Sequence, residues 1–129
     1  MIVTMNVYDF LGRELYNVPD PKVAKIIKEN IKLIGNNVLD LCCGTGRYSC
    51  LLSELGASVI GIDTDKKSIE QAKRKETNAR FICENIKDFS TKEKFSAVVL
   101  LGNSVPHFSI QDLNVIIAKY KNSTIADRI

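Results

Sequence analysis

Apolar residues along this chain follow two rhythms, and the rhythms alternate. From Pro21 to Ile34, Val23, Ile26, Ile27, Ile31 and Ile34 recur three or four residues apart. That spacing predicts a helix with one apolar face. Asp20 reads as its N-cap, Pro21 fits the first helical position, and Gly35 sits where a C-terminal cap belongs. Asn37 to Cys42 is then a short apolar run broken only by Asp40, which predicts a buried strand. Leu51, Leu52 and Leu55 return to helical spacing over Arg47–Leu55, and Gly56 closes that segment. Ser58 to Ile62 predicts a second strand, stopping at Asp63. A polar helix over Asp65–Lys75 keeps Ile69 and Ala72 as its inner contacts. Ala79–Cys83 predicts a third strand and Phe95–Leu101 a fourth. Ser109 and Asp112 have capping-box spacing ahead of a last helix, whose apolar face is Leu113, Ile116, Ile117 and Tyr120. Residues 1–19 keep neither rhythm and read as an N-terminal arm.

Strands separated by helices imply parallel βαβ units with right-handed crossovers. The predicted class is therefore α/β: a Rossmann-like αβα sandwich around a parallel sheet of about four strands. At 129 residues the chain supports one domain with one modest core. No apolar run is long enough to span a membrane, and no secretory leader pattern opens the chain. The net charge of +3 is spread out, where a nucleic-acid groove would want a concentrated basic stripe. Cys42, Cys43, Cys50 and Cys83 show no zinc-type pair spacing, and adjacent cysteines bridge only with strain. They read as small reduced residues, which fits a cytoplasmic protein.

The chemistry concentrates where the first strand ends. Val38-Leu39-Asp40-Leu41-Cys42-Cys43-Gly44-Thr45-Gly46-Arg47 is a strand, a glycine turn and the start of a helix. Such a turn favours a nucleotide-like ligand. Asp40, four residues before Gly44, would repel a pyrophosphate and suits a cationic or donor-rich ligand. That choice disfavours a nicotinamide dinucleotide, as does Ser49 in place of the usual final glycine or alanine. Asp63 ends the second strand, seventeen residues past Gly46, where an acid can accept both hydroxyls of a ribose. Thr64 and Asp65 are alternative caps for the next helix, which leaves Asp63 for a ligand.

This stretch resembles motif I of class I S-adenosylmethionine-dependent methyltransferases of the small-molecule type, with Cys42 where their first glycine is usual. At that position a Cβ meets a backbone angle suited to glycine. The resemblance implies S-adenosylmethionine as cofactor, S-adenosylhomocysteine as product and a small-molecule acceptor. It assigns Asp40, Cys42, Gly44 and Gly46 to the methionine end, and Asp63 with Thr64 to the ribose. Asn85 and Ile86 fall to the adenine. Tyr8 and Tyr16 resemble the tyrosines of an arm that folds over the cofactor. Gly102-Asn103-Ser104, after the fourth strand, resembles a segment of glycine N-methyltransferase-like enzymes. There Gly102 and Asn103 would meet the cofactor, and Asn103 and His107 would position or deprotonate the acceptor.

The family's sheet has seven strands in the order 3-2-1-4-5-7-6. The pattern here supplies four, in the order 3-2-1-4, and nothing for strands five to seven. The fourth strand is then expected at a sheet edge, apolar on both faces, where it invites self-association. Two readings remain open: a methyltransferase, or a non-catalytic cofactor-binding half-domain completed by a partner or a second copy.

Overall fold

The computed structural model describes residues 2–4, 18–101 and 108–124. Among these residues five strands form one parallel sheet: β1 (Ile2–Thr4), β2 (Asn37–Leu41), β3 (Ser58–Asp63), β4 (Arg80–Cys83) and β5 (Ala97–Leu100). Their order is β1-β5-β2-β3-β4. The four strands predicted from sequence are β2 to β5, and they lie in the expected order. The described residues also form five helices: α1 (Pro21–Glu29), α2 (Ile31–Ile34), α3 (Arg47–Glu54), α4 (Lys66–Lys73) and α5 (Ile110–Lys121). Among the described residues, no helix is long and apolar enough to cross a membrane.

Strand alternation divides the core between two faces. Val38, Val59, Ala97 and Val99 point to one face and pack against Val23 and Ile27 of α1, Ile34 of α2, and Leu51 and Leu52 of α3. Ile69 and Ala72 of α4 join Phe81 and Cys43 beside that layer. Leu39, Leu41, Ile60, Ile62, Val98 and Leu100 point the other way, onto Ile116 and Tyr120 of α5 with Ile86 and Phe89. Helices therefore cover both faces of a sheet whose central strands are fully buried, as a parallel sheet requires.

Two expectations change. The first helix breaks at Asn30, whose side chain donates to the Ile26 carbonyl at 2.8 Å, competing with the helical ladder. α2 then restarts, so Ile27 and Ile34 are buried while Ile26 is 42% exposed. The larger change concerns the fourth predicted strand, β5. Its outer edge is not free: Ile2, Val3 and Thr4 pair in parallel with Val98, Val99 and Leu100. Thr124 bridges Phe95, and the Phe95 amide donates to Ser123 at 2.7 Å. The predicted self-association through an exposed fourth strand loses its basis, because the N-terminal strand supplies the backbone partners that an edge would seek. Ile2-Val3-Thr4 is too short to show a rhythm, although its β-branched residues suit a strand.

The Ser109–Asp112 pair forms a complete capping box. The Asp112 amide donates to Ser109 Oγ at 3.0 Å, and the Ser109 amide donates to Asp112 Oδ2 at 3.3 Å.

Candidate cofactor site

The carboxyl ends of β2 and β3 are stitched together at the glycine turn. The Cys43 amide donates to the Ile62 carbonyl at 2.9 Å. One residue on, the Gly44 amide donates to Asp63 Oδ2 at 2.8 Å. The other carboxylate oxygen of Asp63 accepts from the Asp65 amide at 2.8 Å. Asp63 is half-buried, with its head group at the mouth of the crevice between the two strands. Each of its oxygens has taken one backbone donor and keeps acceptor capacity for another. Helix capping falls to Asp65, whose Oδ2 accepts from the Ser68 amide and hydroxyl at 3.2 and 2.6 Å.

The turn runs through three left-handed positions: Cys42 at φ 57°, Gly44 at 58° and Gly46 at 83°. Above Gly44 there is open space, with no atom within 4 Å of where a Cβ would be. A ligand can therefore approach that backbone closely. Gly46 faces inward, and a Cβ there would fall 2.7 Å from the Phe81 ring.

Cys42 is the non-glycine residue of the three, and its backbone adopts the angle the sequence pointed to. An L-residue in this region costs about 1–2 kcal/mol. Cys42→Gly relieves that cost but loosens the unfolded chain, so a net gain of about 0.5–1 kcal/mol is expected. Urea unfolding checks it: the midpoint should rise for Cys42→Gly and not for Cys42→Ala, which keeps the strain.

Asp40 differs from expectation. It is 1% exposed, on the α3 side of the sheet, and its Oδ2 accepts from Ser49 Oγ at 2.6 Å. Burial raises its pKa to about 7. The Ser49 hydrogen bond opposes that rise, Asp63 adds to it and Arg47 opposes it. Asp40 thus lies beneath the turn, not in direct reach of a ligand's ammonium group. Cys43 is buried beside it, and burial pushes its thiol far above the ordinary range. Sequence reasoning missed Ser49 as the partner of Asp40, although both fall on the segment that carries the turn.

The third strand's loop divides its two candidates. Asn85 is exposed, and its side-chain oxygen accepts from the Lys87 amide at 2.9 Å in a local turn. Its side-chain N–H2 remains a donor group. Ile86 is 4% exposed and packs into the α5-side core, while its carbonyl accepts from the Tyr120 hydroxyl. It is not available to lie on an adenine face, which corrects that expectation. Thr64 is exposed beside Asp63, and its carbonyl accepts from Cys83 Sγ at 3.6 Å. Tyr8, Tyr16, Gly102, Asn103 and His107 lie outside the described residues.

An acid ending one strand, bonded across to a glycine turn with open space above it, is the geometry of a nucleoside-binding crevice. Comparison with known proteins identifies the family. Residues 38–124 match a family model described as a methyltransferase domain. The chain belongs to the class I S-adenosylmethionine-dependent methyltransferases. Among curated relatives, it is 28% identical over 107 residues to the cypemycin N-terminal methyltransferase of Streptomyces sp., covering 77% of this chain and 44% of that protein. Among solved structures, a TehB-like SAM-dependent methyltransferase from Corynebacterium glutamicum is 28% identical with a TM-score of 0.69, over 81% of this chain and 56% of that one. The plantazolicin methyltransferase BpumL, solved in complex with SAH, shares the fold at 21% identity and a TM-score of 0.67, over 80% and 40%. S-adenosylmethionine is the cofactor of this family. The chain spans less than half the length of the curated relatives it matches and about half of the solved structures' chains.

Proposed function

We propose that this chain is the cofactor-binding part of a methyltransferase that transfers a methyl group from S-adenosylmethionine to a small-molecule acceptor. The observation that carries this reading is the Asp63–Gly44 pairing beneath open space. Asp63 would accept the two ribose hydroxyls with the lone pairs its backbone donors leave. Gly44 would let the methionine portion lie against the turn. Asn85 would meet the adenine edge through its N–H2 group, the donor left after its oxygen closes the local turn. Thr64 stands next to the ribose position.

Bound S-adenosylmethionine would supply an electrophilic methyl carbon. The chain's own residues then have to align the acceptor and exclude water. Gly102, Asn103, Ser104 and His107 follow β5, and ligands in open parallel sheets bind beyond the strands' carboxyl ends. In this reading Asn103 orients the acceptor, His107 holds or removes its proton, and Tyr8 and Tyr16 of the arm close over the cofactor. Residues 1–129 act as one domain. Four free thiols suit a cytoplasmic setting.

Calorimetric titration with S-adenosylmethionine and S-adenosylhomocysteine tests the site. Both should bind, and NAD should not. Asp63→Ala should weaken binding by about 1.5–3 kcal/mol, roughly ten- to hundredfold. Equal affinity in the variant would remove Asp63 from the site. A labelled-methyl assay over small amines and carboxylic acids tests the transfer. A second reading is cofactor binding without transfer until a partner chain completes the acceptor pocket. It predicts binding in the first experiment and no product in the second.

A further inference from the structure

A second cavity, of about 230 Å3, lies on the outer side of α3, and none of its walls belongs to the Asp63–Gly44 crevice. Among the described residues, α3 contributes Arg47, Cys50 and Glu54. The segment after α4 contributes Lys75 and Glu76, and Pro19 closes it from the approach to α1. Lys75 Nζ is buried and has no hydrogen-bond partner, the one side-chain nitrogen or oxygen among the described residues in that condition. A lysine ammonium carries three donors, and leaving them unmet away from water is costly. Burial is the main force pushing the Lys75 pKa down. The neighbouring sulfur of Cys50 opposes it, Arg47 adds to it, and Cys43 opposes it. Arg47 is itself 7% exposed, with its guanidinium 4.8 Å from the centre of the Tyr48 ring. Glu54 and Glu76 are exposed, and neither bonds Lys75.

We propose that this cavity is a binding site for a small oxyanion, a carboxylate or phosphate group held by Lys75 with Arg47 beside it. An oxyanion that draws the closed-off Lys75 ammonium into the cavity supplies the acceptors that its donors lack. It also offsets the repulsion between the two cations, and charge-assisted bonds of this kind are about twice as strong as neutral ones. The volume suits a small ligand, and the two glutamates at the wall select for low charge. The proposal is independent of methyl transfer.

Thermal unfolding of the intact chain tests it, with sodium phosphate or sodium acetate replacing sodium chloride at constant ionic strength. One or both oxyanions should raise the melting temperature, continuing with the logarithm of concentration above Kd. Which of them does so assigns the site to phosphate or carboxylate. Lys75→Met keeps the stem and removes the ammonium, and should weaken the response roughly tenfold or more. If that variant does not fold, Lys75→Arg takes its place and should retain the response, because it keeps a cation with several donors. An equal response in wild type and Lys75→Met would overturn the proposal, as would no response to either oxyanion. A silent wild type with a responsive Glu54→Gln/Glu76→Gln double variant would also overturn it, showing that a glutamate fills the cavity from within.

Discussion

Gly46→Ala should cost this protein about 2–5 kcal/mol of stability, the sum of a left-handed backbone penalty and core overpacking. The two terms have separate sources. At φ 83° an L-residue is strained whatever the space around it. The added methyl would also fall 2.7 Å from two atoms of the Phe81 ring and 3.3 Å from Ala72 Cβ. Phe81 lies in the small core that joins β4 to α4, with Ile69 and Ala72, so the ring cannot simply swing to solvent. Urea denaturation should show a midpoint well below wild type. A Gly46→Ala/Phe81→Leu double variant should recover part of the loss, because it vacates the ring but leaves the backbone strain. No recovery would assign the whole cost to φ. Gly44→Ala gives the contrasting result. It has the same kind of backbone strain, at φ 58°, but open space where the methyl would go. It should lose less stability, about 1–2 kcal/mol, and, if the proposed site is right, lose cofactor binding disproportionately, because the methyl would stand in the open space above the turn.

The contrast shows which features a sequence exposes. A glycine turn is legible because the backbone angle restricts the residue type, and Cys42 was legible for the same reason in reverse. Asp63 was readable as the end of its strand, and Asp65 as the cap of the next helix. The αβα layers followed from residues whose neighbours three or four apart were also apolar. Ile86 could not be read this way. It sits in a loop with no period of its own, and only the packing of Tyr120 and Phe89 around it makes it core. Ile2–Thr4 is a strand because β5 offers an edge to pair with, a tertiary cause that three residues cannot announce. Asp40 was partly legible. It shares strand parity with Val38, whose side chain packs against the helices on the α3 face, so alternation alone places it beneath the turn.

The burial of Asp40 makes a prediction about pH. Its folded-state pKa is about 7, against about 3.9 for an aspartate in an unfolded chain. Between those values the folded protein holds a proton that the unfolded chain releases. Stability therefore falls as pH rises, by about 1.4 kcal/mol per unit at most, and levels off above pH 7. The exposed Asp65 and Asp112 have lowered pKa values, so their contributions vary in more acidic solution, below this window. Asp40→Asn cannot ionise, yet its side-chain oxygen can still accept the Ser49 hydroxyl. Relative to wild type it should gain stability from pH 5 to pH 8, by a few kcal/mol at most. Urea midpoints of both proteins at pH 5, 6, 7 and 8 check this, and their difference cancels groups common to both. A constant difference would mean that Asp40 does not titrate in that range. In the proposed site the same group would also couple the turn to its ligand. A sulfonium cofactor bound above Gly44 favours the ionised carboxylate below it, and the neutral thioether of S-adenosylhomocysteine does not. Binding of S-adenosylmethionine near pH 6.5 should release protons that product binding retains. Calorimetry in buffers of different ionisation enthalpy measures that release, and Asp40→Asn should abolish the difference between the two ligands. The proton under the turn then makes the preference for substrate over product rise with pH, through a residue that the cofactor need not touch.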